Sequence, residues 1–177
     1  MSATLPHFTY HPDPVSTGAV VPTEEECECC GRAQSWKTAK SIYSADEVEC
    51  ICPWCVADGT AAVKFEGDFN DAHPLNSARL APEIVEEVSK RTPSYQSWQQ
   101  ETWLICCNDA CEFHGDASRE SLLALDLKGL EQLSKETRFS LQQLAEILKL
   151  YQPKGSPSFY RFVCRHCSKV HHHADFD

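Results

Sequence analysis

Four pairs of cysteines stand out by their spacing: Cys27 with Cys30, Cys52 with Cys55, Cys107 with Cys111, and Cys164 with Cys167. Thiolates two or three residues apart are the usual half of a tetrahedral zinc site, and two such halves complete it. Pairing the first two and the last two predicts two four-cysteine zinc sites, holding two structural Zn2+ ions. Cys29 and Cys50 stand beside ligand pairs, so either can replace a pair member. Cys106 has the same standing beside Cys107.

Disulfides are the rival use of eleven cysteines. Members of a C-x-x-C pair are too close to be ordinary structural disulfide partners, the count is odd, and no basic-then-apolar leader opens the chain. A reducing, cytoplasmic setting and metal binding follow as expectations. Redox chemistry at Cys52-Pro-Trp-Cys55 would call for a βαβ surround, which is missing.

Zinc held by four thiolates has no open position for water, so it supplies folding energy rather than catalysis. Structural zinc is worth about 10–16 kcal/mol of apparent binding energy, against about 5–15 kcal/mol for the stability of a whole domain. Cys107, Cys111 and His114 with Glu112 can be drawn as a catalytic zinc site, but that drawing strands Cys164 and Cys167. There is no glycine-rich phosphate loop, serine elbow or H-E-x-x-H. The expectation is a protein that is not an enzyme and has no small-molecule substrate.

The elements that must position these thiols follow from the neighbouring sequence. Cys27-Glu-Cys-Cys-Gly31 is a zinc knuckle, with the glycine allowing the tight turn. Trp36–Tyr43 reads as strand and turn, Ser44-Ala-Asp-Glu47 as a capping box opening a helical turn, and 56–63 as a short helix continuing past Gly59. Residues 64–81 are turn-rich, with Asp68, Asp71 and His73 solvated. Pro82–Arg91 has a helical apolar stripe, acids early and bases late. Trp98 and Trp103 are expected in the core.

Strands over 103–106, 113–114, 158–163 and 169–171 carry the second set of thiols. Between them lies a helical insert. Ser118 caps a helix bearing Leu122, Leu123 and Leu125, and Asp126 caps one bearing Leu130 and Leu133. Ser140-Leu-Gln-Gln143 is a capping box for a third, with Phe139 and Leu144 as its staple. His171, His172 and His173 continue the last strand on alternating faces. His7 and His11 share one face of an extended arm, in surface or hydrogen-bonding roles.

The predicted fold is α+β: small zinc-ribbon or treble-clef-like hairpins stapled by two four-cysteine sites, with a helical insert packed alongside. The predicted divisions are an extended arm over 1–26, a first zinc unit over 27–80, and a second over 81–177 containing the insert at 118–152. No apolar run is long enough to span a bilayer.

The net charge is −10, with Asp and Glu outnumbering Lys and Arg 26 to 16. Such a balance works against nucleic acid and suits a basic protein partner. Phe8-Thr-Tyr-His-Pro-Asp-Pro14, Cys27-Glu-Cys-Cys-Gly31, Ile51-Cys-Pro-Trp-Cys-Val-Ala-Asp-Gly59 and Arg91-Thr-Pro-Ser-Tyr-Gln-Ser-Trp-Gln-Gln100 together resemble the CbrC family of bacterial colicin-tolerance proteins. That resemblance implies a small cytoplasmic protein, with the eight paired thiols named above matching the family's. It also implies an immunity or tolerance role against a nuclease-type toxin domain, bound through the acidic surface. The alternatives are a zinc-ribbon regulator touching nucleic acid or the transcription machinery, and an enzyme using His114 and His171 to His173.

Overall fold

Three apolar clusters organise the chain in this computed structural model, which describes residues 4–177. The first three residues of the expected arm lie outside that range. Phe8, Ile42, Val48, Ile51, Val56, Ala61 and Phe69 gather around the first cysteines. Tyr10, Leu75, Val85, Val88, Tyr95, Trp103, Phe113, Tyr160 and Phe162 form the central core. Leu122, Leu133, Leu144, Leu148, Tyr151 and Phe159 form the third, beneath a helical layer. The arm therefore spans two cores, Phe8 entering one and Tyr10 the next.

In the first region β1 (Val20–Pro22) pairs antiparallel with β2 (Trp36–Thr38). Helix α1 (Pro53–Ala57) starts on Cys52, with proline in its first turn where no N–H is required. Gly59, left-handed at φ 79°, then ends α1 and starts α2 (Thr60–Lys64), so the expected continuous helix is two short ones. The expected turn of helix at Ser44–Glu47 is absent, and the segment is a bend. Val48 and Cys50 are pulled inward at strand-like alternation, Ile51 is buried after them, and Glu28 takes the N–H groups of Glu49 and Cys50. A single helical turn does not outweigh those ties.

Helix α3 (His73–Ser77) falls in the segment read as a loop. Helix α4 (Pro82–Arg91) agrees with its expectation in both bounds and in its buried Val85 and Val88. Beyond it β3 (Ile105–Cys106) and β4 (Asp109–Ala110) make a minimal hairpin.

The main sheet has order β5 (Glu112–Asp116), β6 (Ser158–Val163), β7 (Val170–Asp175), all antiparallel. One face carries Tyr160 and Phe162 into the aromatic core, where Tyr95 stacks on Phe113 at 4.2 Å. The other carries Phe159 and Ala174 against α5 (Arg119–Leu123), α6 (Leu127–Thr137) and α7 (Leu141–Leu150). All three helices have the expected caps: Ser118, Asp126 and the Ser140–Gln143 capping box. Phe139 lies edge-on to Phe176. Trp103 is buried as expected, but Trp98 is 49 % exposed. Its indole N–H is spent on Gly155 O and Ser158 Oγ rather than on packing.

The architecture is thus α+β, with small hairpins, two four-cysteine groups and a helical layer beside them. No helix among the described residues is long and apolar enough to cross a membrane.

Candidate metal centres

Two loops of the same construction hold half of each centre. Cys27 N–H donates to Arg32 O, and Gly31 N–H to Cys27 O. Five and four residues on from Cys164 the pattern recurs, with Cys164 N–H to Lys169 O and Ser168 N–H to Cys164 O. Gly31 at φ 67° and Ser168 at φ 57° occupy the matching left-handed position. This closes each turn so that its backbone N–H groups face the sulfurs.

The partner halves differ. Cys52 and Cys55 come from the start of α1, and Cys52 N–H donates to Cys27 Sγ at 3.2 Å. Cys106 and Cys107 come from the tip of the β3–β4 hairpin. Cys107 at φ 53° and Asn108 at φ 59° form its two-residue turn, both left-handed as a type I′ connection requires.

The sulfurs of Cys27, Cys30, Cys52 and Cys55 all lie within 4.8 Å of one another, as do those of Cys106, Cys107, Cys164 and Cys167. Sulfurs at about 2.3 Å from a tetrahedral zinc are separated by about 3.8 Å. Cys27–Cys55 at 4.0 Å, and Cys106–Cys107 and Cys106–Cys167 at 3.8 Å, match that edge. All eleven cysteines are free thiols rather than disulfides. Four sulfur donors in this arrangement fit a tetrahedral, thiophilic ion.

The first group contains the four cysteines expected of it, with Cys29 and Cys50 buried nearby but outside. The second contains Cys106, not Cys111, and here the sequence reading is corrected. A turn of only two residues puts Cys106 and Cys107 together at the hairpin tip. Cys111 lies back along the returning strand, where its N–H donates to Leu104 O and its side chain is fully buried. Burial pushes the Cys111 thiol up to about 12.

Electrostatics distinguishes the sulfurs. The N–H of Cys167, opposed by burial but joined by that of His166, brings Cys164 down to about 6. Burial raises Cys27, yet the N–H groups of Cys52, Cys30 and Cys29 outweigh it and hold the thiol below its ordinary value. Within the two groups Cys52, Cys55, Cys106 and Cys107 are pushed up. Cys52 rises to about 12 and Cys55 higher still, chiefly by burial and then by neighbouring sulfurs. Cys107 rises to about 12 because Cys167, Cys106 and Cys164 crowd it. A divalent cation at the centre of each group reverses this repulsion, since every thiolate then faces positive charge.

Around the second group Asp109 acts as a clamp that the sequence reading missed. Its carboxylate accepts from Tyr10 Oη at 2.7 Å, Ala110 N–H at 2.8 Å, His166 Nε2 at 2.7 Å and Arg165 Nη1 at 3.3 Å. Hairpin tip, knuckle and N-terminal arm are thereby joined through one side chain. Burial opposes the charge on Asp109, but Tyr10, His166, Ala110 and Arg165 together hold its carboxyl below the usual range. At the first group Lys64 does comparable work, its Nζ donating to Glu28 O and Cys29 O at 2.6 and 2.8 Å.

The histidines take other roles. His11 is fully buried between Pro93 O and Thr17 Oγ1, at 2.9 and 2.7 Å, whereas His7 is exposed. His114 pairs with Glu112 at 3.1 Å and lies outside both sulfur groups.

A family model described as "Uncharacterised protein family (UPF0167)" matches residues 5–176. The UPF0167 protein PA1536 of Pseudomonas aeruginosa is 44% identical over 178 residues, covering 99% of both chains. The UPF0167 proteins Mb2317 of Mycobacterium bovis and MT2352 of Mycobacterium tuberculosis are each 35% identical over 176 residues, covering 97% of this chain and 94% of theirs. No solved structure matches. These findings correct the resemblance to the colicin-tolerance family: the matching model is UPF0167, and none of these relatives' names refers to colicin tolerance.

Proposed function

We propose that this chain, which belongs to the UPF0167 family, is a zinc-stapled, non-catalytic cytoplasmic protein that binds a basic protein through its acidic surface. The observation that carries the zinc reading is the gathering of eight sulfurs into two sets of four. With every tetrahedral position taken by a thiolate, the ions are structural, and what remains for function is surface.

That surface is acidic, at a net charge of −10. Glu24, Glu25, Glu26 and Glu28 are exposed on one side of the first knuckle, and Asp46, Glu47 and Glu49 are exposed on the segment next to it. Glu28 draws the two runs together by accepting the N–H groups of Glu49 and Cys50 at 2.7 and 2.8 Å. Lys37 forms its salt bridge with Glu25. Opposed charge of this kind raises the encounter rate with a cationic partner. A nuclease-type toxin domain, cationic because it must grip a polyphosphate, is the partner with the right charge, and neutralising it by direct binding is the finer form of the proposal. Nucleic acid itself is disfavoured by the acid excess, and the Arg165 and His166 side chains of the second knuckle are already engaged with Asp109.

The test is titration of the zinc-loaded protein against purified cationic nuclease toxin domains by calorimetry. A saturable complex is expected with at least one of them, weakened at least tenfold in Glu24→Lys/Glu26→Lys/Glu47→Lys and by added salt. Protection of cells from such a toxin without any complex, or binding indifferent to the reversed charges, contradicts the proposal.

A further inference from the structure

Between the first turn of α6 and the start of β7 lies a cavity of about 220 Å³, lined by Lys128, Gly129, Gln132, Lys169, His171 and His172 among others. The Nε2 atoms of His171 and His172 are both buried without a hydrogen-bond partner. His172 is only 8 % exposed. His172 shares the strand face of Ala174, toward the helical layer, and a buried polar atom left unpaired costs about 1–3 kcal/mol, so its Nε2 beside this cavity calls for an occupant.

Charge decides what kind. The acid excess that marks the whole chain is inverted here. Lys128 and Lys169 form no salt bridge among the described residues, and neither does Arg161, which pairs with His172 across the sheet. Asp126, the one acid lining the cavity, already caps α6 by accepting Gly129 N–H at 2.8 Å. Glu136 is turned onto His173 and Ala174 N–H. Burial, reinforced by Arg161, keeps His172 neutral, and burial with Lys169 does the same for His171. A neutral imidazole can offer an N–H to an acceptor.

Unpaired cations beside a free N–H donor fit an oxyanion. A metal ion would add charge to an already positive site, and consecutive strand residues project to opposite faces, so His171 and His172 are poorly placed to share one. We propose that this cavity binds a phosphate group, with Lys128 and Lys169 supplying charge and His172 a directional donor. Free phosphate and a small phosphomonoester share that chemistry.

The zinc-loaded chain, labelled with 15N, is titrated with inorganic phosphate and separately with phosphoserine, at ionic strength fixed with chloride and with metal content checked throughout. A saturable shift of the His172 imidazole nitrogens is expected, with affinity falling at least tenfold in Lys128→Ala/Lys169→Ala. Both lysines are exposed, so this variant keeps its fold and metal. Tighter binding of the monoester points to a phosphorylated metabolite, and equal or weaker binding to phosphate itself. No saturable shift at tens of millimolar, equal affinity in the variant, or zinc taken up by these histidines each overturns the proposal.

Discussion

His11 shows how much one side chain can contribute. It joins the arm to the segment before Tyr95 through Pro93 O and lies edge-on to Phe113 at 4.9 Å. Burial, only partly countered by that carbonyl and by Asp13, lowers it to about 4 from 6.5. The folded state therefore holds it neutral, while the unfolded chain protonates it near its ordinary value. Stability attributable to His11 is complete above pH 6.5, erodes as pH falls, and is lost below about 4. At about 1.4 kcal/mol per pH unit, the loss amounts to about 3 kcal/mol. Denaturant unfolding of the native chain and His11→Gln, compared between pH 7 and 5, should show the shallower pH dependence in the variant. Equal slopes would refute the assignment. The neighbourhood of His11 was not legible in the sequence: His7 and His11 share a face by alternation, and only tertiary packing makes one exposed and the other buried.

At the scale of elements, the two knuckles offer an internal comparison. They share their hydrogen bonds, but one places glycine and the other serine in the left-handed position. A side chain there costs about 1–2 kcal/mol, partly offset by the greater unfolded-state freedom of glycine. Ser168→Gly should stabilise the protein by about 0.5–1 kcal/mol, and Gly31→Ser should destabilise it by at least as much, both read from denaturation midpoints. Opposite signs would mean that the shared turn geometry is not what closes these loops. The first knuckle and the Cys164–Cys167 pair were legible because their chemistry is local, as were the Ser140–Gln143 capping box and the α4 stripe. The β3–β4 hairpin was misread because Cys106-Cys107-Asn108-Asp109 admits two registers. Only a tip at Cys107-Asn108 brings Cys106 to the site, and the asparagine, tolerant of φ > 0, was the available hint. Ser44–Glu47 carried the letters of a capping box without an apolar helical face behind it, and tertiary ties prevailed.

For the whole molecule, three small cores are joined by an arm, a few short strands and two sets of four thiols. None of the cores is large, and structural zinc at about 10–16 kcal/mol would rival their combined margin of stability. Clamps such as Asp109 and Lys64 would then act on loops that metal has already fixed. Zinc per chain, measured by mass spectrometry on protein purified without added metal, addresses this account most directly, with Cys106→Ser and Cys111→Ser measured alongside. The account predicts two zinc ions in the native chain, one in Cys106→Ser and two in Cys111→Ser. A native chain without zinc, or a Cys106→Ser variant that keeps both ions while Cys111→Ser loses one, would contradict it.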